Sequence, residues 1–190
     1  MYLTRGAEAT VKVEGGYVIK VRIPKQYRQK ELDERIRKER TKNEARLISE
    51  ARRLGIPTPI VHDVQNSTIV MQYIPGTPLK YVVDESLSER LGELVGNLHT
   101  GGIIHGDLTT SNMIVYNDRI YMIDFGLSFI DPGIEARGVD IHVLFQTFES
   151  THHDHEILTD AFCRGYRQTC DNAEEVLERV RDIEKRGRYA

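Results

Sequence analysis

Two cysteines, Cys163 and Cys170, are all that 190 residues contain, too few for a disulfide framework or a four-thiolate zinc site. Long apolar runs are missing as well. The longest are a few residues, such as Ile69-Val70-Met71, so no segment reads as a membrane-spanning helix. The opening Met1-Tyr2-Leu3-Thr4-Arg5-Gly6 has no apolar core of secretory length, and there is no internal repeat or low-complexity tract. Net charge is nearly absent too, at −3 from 26 Lys+Arg and 29 Asp+Glu. What remains, with 39% hydrophobic and 29% charged residues, leads us to expect a cytoplasmic globular chain of one domain or two small lobes.

The charge is unevenly spread. Lys25 to Arg53 holds 11 basic and 6 acidic residues, and Arg179 to Arg188 is also basic. Such clusters suit a nucleic-acid contact, and the first equally suits a solvated helix with interleaved charges.

Periodicity divides the chain into two parts. Thr10–Val13 and Tyr17–Arg22 alternate around Glu14-Gly15-Gly16 and predict a hairpin. A long charged helix is expected over 29–54, with a thin stripe of Leu32, Ile36, Leu47, Ala51 and Leu54, ending at Gly55 and Pro57. Strands resume at 60–63 and 68–73 around a turn at Gln65-Asn66. Ile74-Pro75-Gly76-Thr77-Pro78 reads as a linker, which gives a β-rich lobe over 1–74 and a helical lobe over 75–190 with a basic tail from 179. In the second lobe, Ser86-x-x-Glu89 has capping-box spacing ahead of an apolar face. Short strands are expected at 113–116 and 120–123, and helices at 138–149, 154–171 and 173–186. The fold class is α+β, in two lobes.

The sharpest pattern is His105-Gly106-Asp107-Leu108-Thr109-Thr110-Ser111-Asn112, followed by Asp124-Phe125-Gly126. In protein kinases, an Asp with an Asn five residues on precedes a metal-binding Asp before Phe-Gly. One carboxylate, Asp107, then lies near the attacking group, while Asn112 and Asp124 offer oxygens to Mg²⁺, which favours such ligands and keeps phosphate and water in its shell. Upstream, Lys20 in the strand Val18-Ile19-Lys20 needs an anionic partner if it points inward. Glu44 of the long helix is the preferred candidate and Glu39 the competitor. Arg5-Gly6-Ala7-Glu8-Ala9 stands where a phosphate-binding loop belongs, and Met71, Gln72 and Ile74 where a hinge would read the adenine of ATP.

These motifs, with Lys25-x-Tyr27-Arg28, Arg40-Thr41-x-x-Glu44-Ala45 and Ser150-Thr151-His152, make the chain resemble the small atypical kinase subunit of the KEOPS tRNA-modification complex, a lineage related to the RIO kinases. The resemblance covers nearly the whole chain. It implies a two-lobed minimal protein-kinase-like fold and a Ser/Thr kinase or ATPase using ATP and Mg²⁺ in support of threonylcarbamoyladenosine formation in tRNA. It also implies a threonylcarbamoyl-transferase subunit and other KEOPS subunits as partners, and tRNA contact through the basic surface and tail. Gly106 replaces the arginine of regulated kinases, and no Ala-Pro-Glu follows Asp124, so a peptide platform is not expected. Asp140 is expected at a helix start, accepting hydrogen bonds from the catalytic-loop backbone. A stand-alone RIO-like kinase and a small-molecule phosphotransferase are the alternatives. Bland roles are expected for His152-His153-Asp154-His155 (a loop into a helix), for Cys163, Cys170 and Tyr166 (core), and for His105 (a core histidine).

Overall fold

The computed structural model describes residues 2–5 and 8–187. Tyr2–Arg5 (β1), Ala9–Glu14 (β2), Tyr17–Arg22 (β3), Val61–Gln65 (β4) and Thr68–Gln72 (β5) form an antiparallel sheet in the order β1-β2-β3-β5-β4. The expected hairpin is β2–β3, in register from Ala9↔Arg22 to Glu14↔Tyr17, with Gly15 and Gly16 at positive φ in its turn. β1 was not foreseen, since its alternation is only four residues long. Ala9, expected in the loop, is the first residue of β2 and is buried.

Helix α1 (Lys30–Arg53) packs against β4 and β5. Its buried face differs from the expected stripe: Leu32 and Leu54 are exposed, whereas Asp33, Thr41 and Glu44 are buried beside Ala45, Leu47, Ile48 and Ala51. The polar members of that face belong to ion pairs and hydrogen bonds, so hydrophobic periodicity alone misplaces it. The segment read as a linker is partly structured. Thr77–Pro78 (β6) pairs with Met113–Tyr116 (β8), which pairs in turn with Arg119–Met122 (β9).

Helix α2 (Glu85–Thr100) is capped by Asp84, whose carboxylate accepts from the Leu87 N–H at 2.8 Å. The capping box at Ser86 is therefore corrected. Asp84 is extended two residues earlier and satisfies the first turn, and Glu89 instead pairs with Arg164 of α4 (His155–Thr169). α2 and α4 pack backbone to backbone. A Cβ on Gly92 would lie 2.1 Å from the Phe162 oxygen, and one on Gly165 would lie 1.8 Å from the Glu89 oxygen. Gly165→Ala therefore forces the helices apart. The expected cost is ~1–3 kcal/mol or more, read as a lowered urea midpoint with unchanged helical circular dichroism.

Ile103–Ile104 (β7) pairs with Phe129–Ile130 (β10), and α3 (Ile134–Thr151) and α5 (Ala173–Gly187) complete the chain. The main core runs through Leu91, Leu98, Phe148, Phe162 and Tyr166, and continues without a break to Leu47 and Ile69 under the sheet. His152 ends α3 and His155 opens α4, as expected of a loop into a helix. Cys170 is buried at the end of α4, and burial pushes the Cys163 thiol up to about 11, so both behave as core thiols. No helix among the described residues is long and apolar enough to cross a membrane.

Candidate active site

The period of two in β3 puts Lys20 and Arg22 on one face, and both are buried. Lys20 Nζ donates to Glu44 Oε1 at 2.7 Å and to Asp124 Oδ1 at 2.6 Å. Glu44 is 1% exposed, a burial only its cationic partners make tolerable. Glu39, the competitor, is exposed on α1. Arg22 was not anticipated, although the Lys20-x-Arg22 spacing carried the signal. Its guanidinium meets Glu44 Oε2 at 2.5 Å and Glu8 at 3.6 Å, and Arg40 meets Glu8 at 2.9 Å. Glu8 is thereby drawn to α1. Gly6 and Ala7 lie outside the described residues, and Arg5 pairs through its backbone with Thr10 in the β1–β2 ladder.

Asp124 sits in the left-handed region at φ 62 and accepts the Gly126 N–H, a turn that aspartate tolerates better than most residues. Burial works against its ionisation, yet the charge and hydrogen bond of Lys20 outweigh it and hold the carboxyl below its ordinary value. Asp107 and Asn112 are joined: Asn112 Nδ2 donates to the Asp107 backbone oxygen at 2.9 Å and to its carboxylate at 2.8 Å. The loop is tied to the strand leading to Asp124 by the Ile123 N–H on the Asn112 oxygen, at 2.9 Å.

The catalytic-type loop is held from below by Asp140. Its carboxylate accepts the His105 N–H at 2.8 Å and the Gly106 N–H at 2.9 Å, and contacts His99 Nε2 at 3.2 Å. Asp140 was expected at a helix start. It lies instead inside α3, so the capping role falls away and the loop contact stands. Burial raises its pKa, but the His99 hydrogen bond, the histidine charges and the backbone donor together lower it below 3.8. A carboxyl depressed in the folded state contributes stability above its unfolded pKa, and this is lost as pH falls through the folded one. Asp140→Asn should therefore flatten the fall in stability below pH 3.8, read from urea midpoints across pH.

Gly106 has φ +80, and a Cβ there would lie 2.3 Å from the Leu127 oxygen. Any side chain at this position, an arginine included, would have to displace the Leu127 backbone. Gly106→Ala should cost at least ~1–2 kcal/mol from the left-handed backbone alone, with the clash added, and should lower both the melting temperature and turnover. His105 is fully buried, with Nε2 on the Ile123 oxygen at 3.1 Å and its ring 5.0 Å from Phe125, which fits the expected core histidine.

A cavity of about 180 Å³ opens above this cluster, lined by Val11, Val18, Met71, Ile74, Ile114 and Ile123, with Lys20, Glu44 and Asp124 among its polar groups. Such a mostly apolar slot with a few charged groups suits a nucleobase joined to phosphates. At the hinge, Gln72 N–H is spent on the Ile60 oxygen and Tyr73 N–H on the Gly16 oxygen. For a cation, the donors suit Mg²⁺: Asn112 uses its amide nitrogen on Asp107, which leaves its oxygen, and Asp124 adds a carboxylate. Among the described residues no cluster of three or more His, Cys, Asp or Glu could hold a metal, and two protein oxygens suffice for an ion that keeps phosphate and water.

A β-rich lobe carrying a Lys–Glu pair, stacked on a helical lobe carrying Asp107, Asn112 and Asp124, defines a kinase-like architecture. The RIO domain model matches residues 14–159, and the chain belongs to that family of atypical kinases. It is 58% identical over 99% of its length to a "Probable bifunctional tRNA threonylcarbamoyladenosine biosynthesis protein" of Methanosarcina barkeri, covering 35% of that protein. It is 50% identical over 97% of its length to a "Probable serine/threonine-protein kinase BUD32 homolog" of Archaeoglobus fulgidus, covering 94% of it. The chain thus spans about a third of the bifunctional relatives and nearly all of the shorter one. Among solved structures, the Rio2 kinase–ADP/Mg²⁺–phosphoaspartate complex of Chaetomium thermophilum aligns with TM-score 0.69 at 18% identity, over all of this chain and 71% of that one. That likeness shows the fold.

Proposed function

We propose that the chain binds Mg·ATP and transfers or hydrolyses its terminal phosphate as the kinase-like subunit of a KEOPS-type complex that supports threonylcarbamoyladenosine formation in tRNA. The observation that carries this reading is the buried Lys20, joined to both Glu44 and Asp124 at the cavity. In this reading Lys20 holds phosphate oxygens and Glu44 fixes its direction. Asp107, steadied by the Asn112 amide, orients or deprotonates the attacking hydroxyl or water. Asn112 and Asp124 would hold Mg²⁺, which supplies charge neutralisation of the phosphates when bound. Positioning and electrostatics of this kind account for most phosphoryl-transfer catalysis.

The relatives named as bifunctional support a partner. The remaining two-thirds of those polypeptides would correspond to the threonylcarbamoyl-transferase subunit, with other subunits completing the complex. For tRNA, the basic segment divides by its pairing. Arg28 and Arg37 are paired with Asp33, and Arg40 with Glu8, whereas Lys30, Arg35, Lys38 and Lys42 are exposed on α1 and are the candidates for phosphate contacts. The tail residues Arg188, Tyr189 and Ala190 lie outside the described residues.

The test is ADP release by the purified chain, alone and with tRNA plus a threonylcarbamoyl-transferase partner. Turnover that rises with both additions is expected. A chain that binds no nucleotide under any of these conditions sinks the reading. A Lys30→Gln/Lys38→Gln double variant should weaken tRNA binding by the partner-bound chain and reduce its salt dependence by about one to two counterions, measured by fluorescence anisotropy at several salt concentrations.

A further inference from the structure

We propose that Arg22 is a positioning residue for the phosphate end of the nucleotide site, acting through Glu44 on Lys20 and through Glu8 on the start of β2. This rests on the phosphotransferase reading and assigns how its lysine is held.

Glu44 offers two carboxylate oxygens, and each has its own cation: Lys20 on Oε1 and Arg22 on Oε2. Lys20 has a second anion in Asp124, and Arg22 has one in Glu8, which also pairs with Arg40. Three cations thus alternate with three carboxylates in one line, Asp124–Lys20–Glu44–Arg22–Glu8–Arg40. The line joins the metal-binding turn to β3, α1 and the residue preceding β2. When Asp124 turns to a metal and Lys20 to a phosphate, Arg22 is the group that still fixes Glu44.

Packing alone does not explain an arginine here. Arg22 is 5% exposed and its Nε is buried without a partner among the described residues, a desolvation cost that a methionine would not carry. What the guanidinium adds is a rigid planar fork whose separate ends, Nη2 and Nη1, face Glu44 and Glu8 at a fixed spacing, where an ammonium is a single point charge on a flexible stem. Its Nη2 also lies 3.3 Å from where a Cβ on Gly126 would sit, beside Lys20 Nζ at 3.4 Å and Asp124 Oδ1 at 3.0 Å. The group therefore borders the Asp124-Phe125-Gly126 turn itself.

The test uses the full chain with Arg22→Lys, Glu8→Gln and the double variant. Calorimetry would measure affinity for Mg·AMP-PNP and, separately, for adenosine, which lacks phosphates. Arg22→Lys should weaken Mg·AMP-PNP binding about tenfold and Glu8→Gln about threefold. The double variant should resemble Arg22→Lys alone, because groups in one network do not add independently. Adenosine affinity should stay at the wild-type value in all three; a general loosening of the fold would lower it as well. Unchanged Mg·AMP-PNP affinity in Arg22→Lys, additive effects, or tighter binding in Glu8→Gln would overturn the proposal. Should Arg22→Lys fail to fold, Glu8→Gln decides alone, since Glu8 is exposed, and a wild-type affinity there overturns it. A wild-type chain that binds adenosine but not Mg·AMP-PNP would instead refute the phosphotransferase reading.

Discussion

Asp107→Ala should lower ATP turnover by about 10²–10⁴-fold, the usual contribution of a positioned general base, while leaving Mg·nucleotide affinity close to that of the wild type. Affinity should survive because Lys20, Glu44 and the apolar cavity do not involve Asp107. The side chain is only partly buried, and among the described residues its side-chain partner is Asn112, so the fold should not suffer. Steady-state ADP release under saturating Mg²⁺, beside a calorimetric binding constant, separates the two effects. Unchanged turnover would remove Asp107 from the chemistry, and a parallel loss of binding would make it a structural residue. The relation to Asn112 adds a check: Asn112→Ala should also reduce turnover, and raising Mg²⁺ should partly restore it, because that variant would lose both the oxygen proposed for the cation and the clamp on Asp107.

The second large effect falls on stability. Glu44→Ala should destabilise the chain by about 3–5 kcal/mol, the range seen when one partner of a buried ion pair is removed and the other charge is stranded. Here two cations below a tenth exposed, Lys20 and Arg22, lose their one buried carboxylate and keep only the half-exposed Asp124 and Glu8. Against a total stability of order 5–15 kcal/mol, the variant should be marginal at ordinary temperature, as shown by a urea midpoint shifted far down at unchanged slope. Glu44→Gln should cost less, since an amide oxygen can still accept from one cation. A shift below about 1 kcal/mol for Glu44→Ala would mean that the Lys20–Glu44–Arg22 cluster is solvated in solution. Lys20→Met offers the contrast. It leaves Glu44 with Arg22, so it should spare stability more than Glu44→Ala while abolishing productive phosphate binding.

Much of this was legible in the linear sequence because the signals are local. The β2–β3 hairpin follows from alternation around two glycines, α1 from its length and its stop at Gly55, and the Asp107/Asn112 pair from a five-residue spacing that one loop can close. Sequence context favours Glu44 over Glu39, and Glu44 is the carboxylate that meets Lys20 Nζ, at 2.7 Å. The misses share a cause. Leu32 and Leu54 belong to the expected stripe because they are apolar, yet α1 buries Asp33, Thr41 and Glu44 there instead: Glu44 is paired across the fold with Lys20 and Arg22, Asp33 with the nearby Arg28 and Arg37, and the Thr41 hydroxyl with the Arg37 oxygen. The capping box at Ser86 had correct spacing, but Asp84 reached the first turn with better geometry. β6 hid in a Pro-Gly segment because its partner, β8, lies more than thirty residues on.

By itself the sequence determined the order of lobes and which residue types stand close along the chain: Asp107 and Asn112 in one loop with Asp124 soon after, a lysine at position 20 in a strand, and two thiols, too few for a framework. Only the tertiary structure decided which carboxylate meets which cation. It joined Lys20 to both Glu44 and Asp124, brought Arg22 and Arg40 onto Glu8, and placed Asp140 under the His105-Gly106 backbone from within a helix. Those choices depend on distances between elements far apart along the chain. Coulomb and hydrogen-bond energies fall steeply with separation and grow where water is excluded, and neither separation nor exclusion is written in residue order.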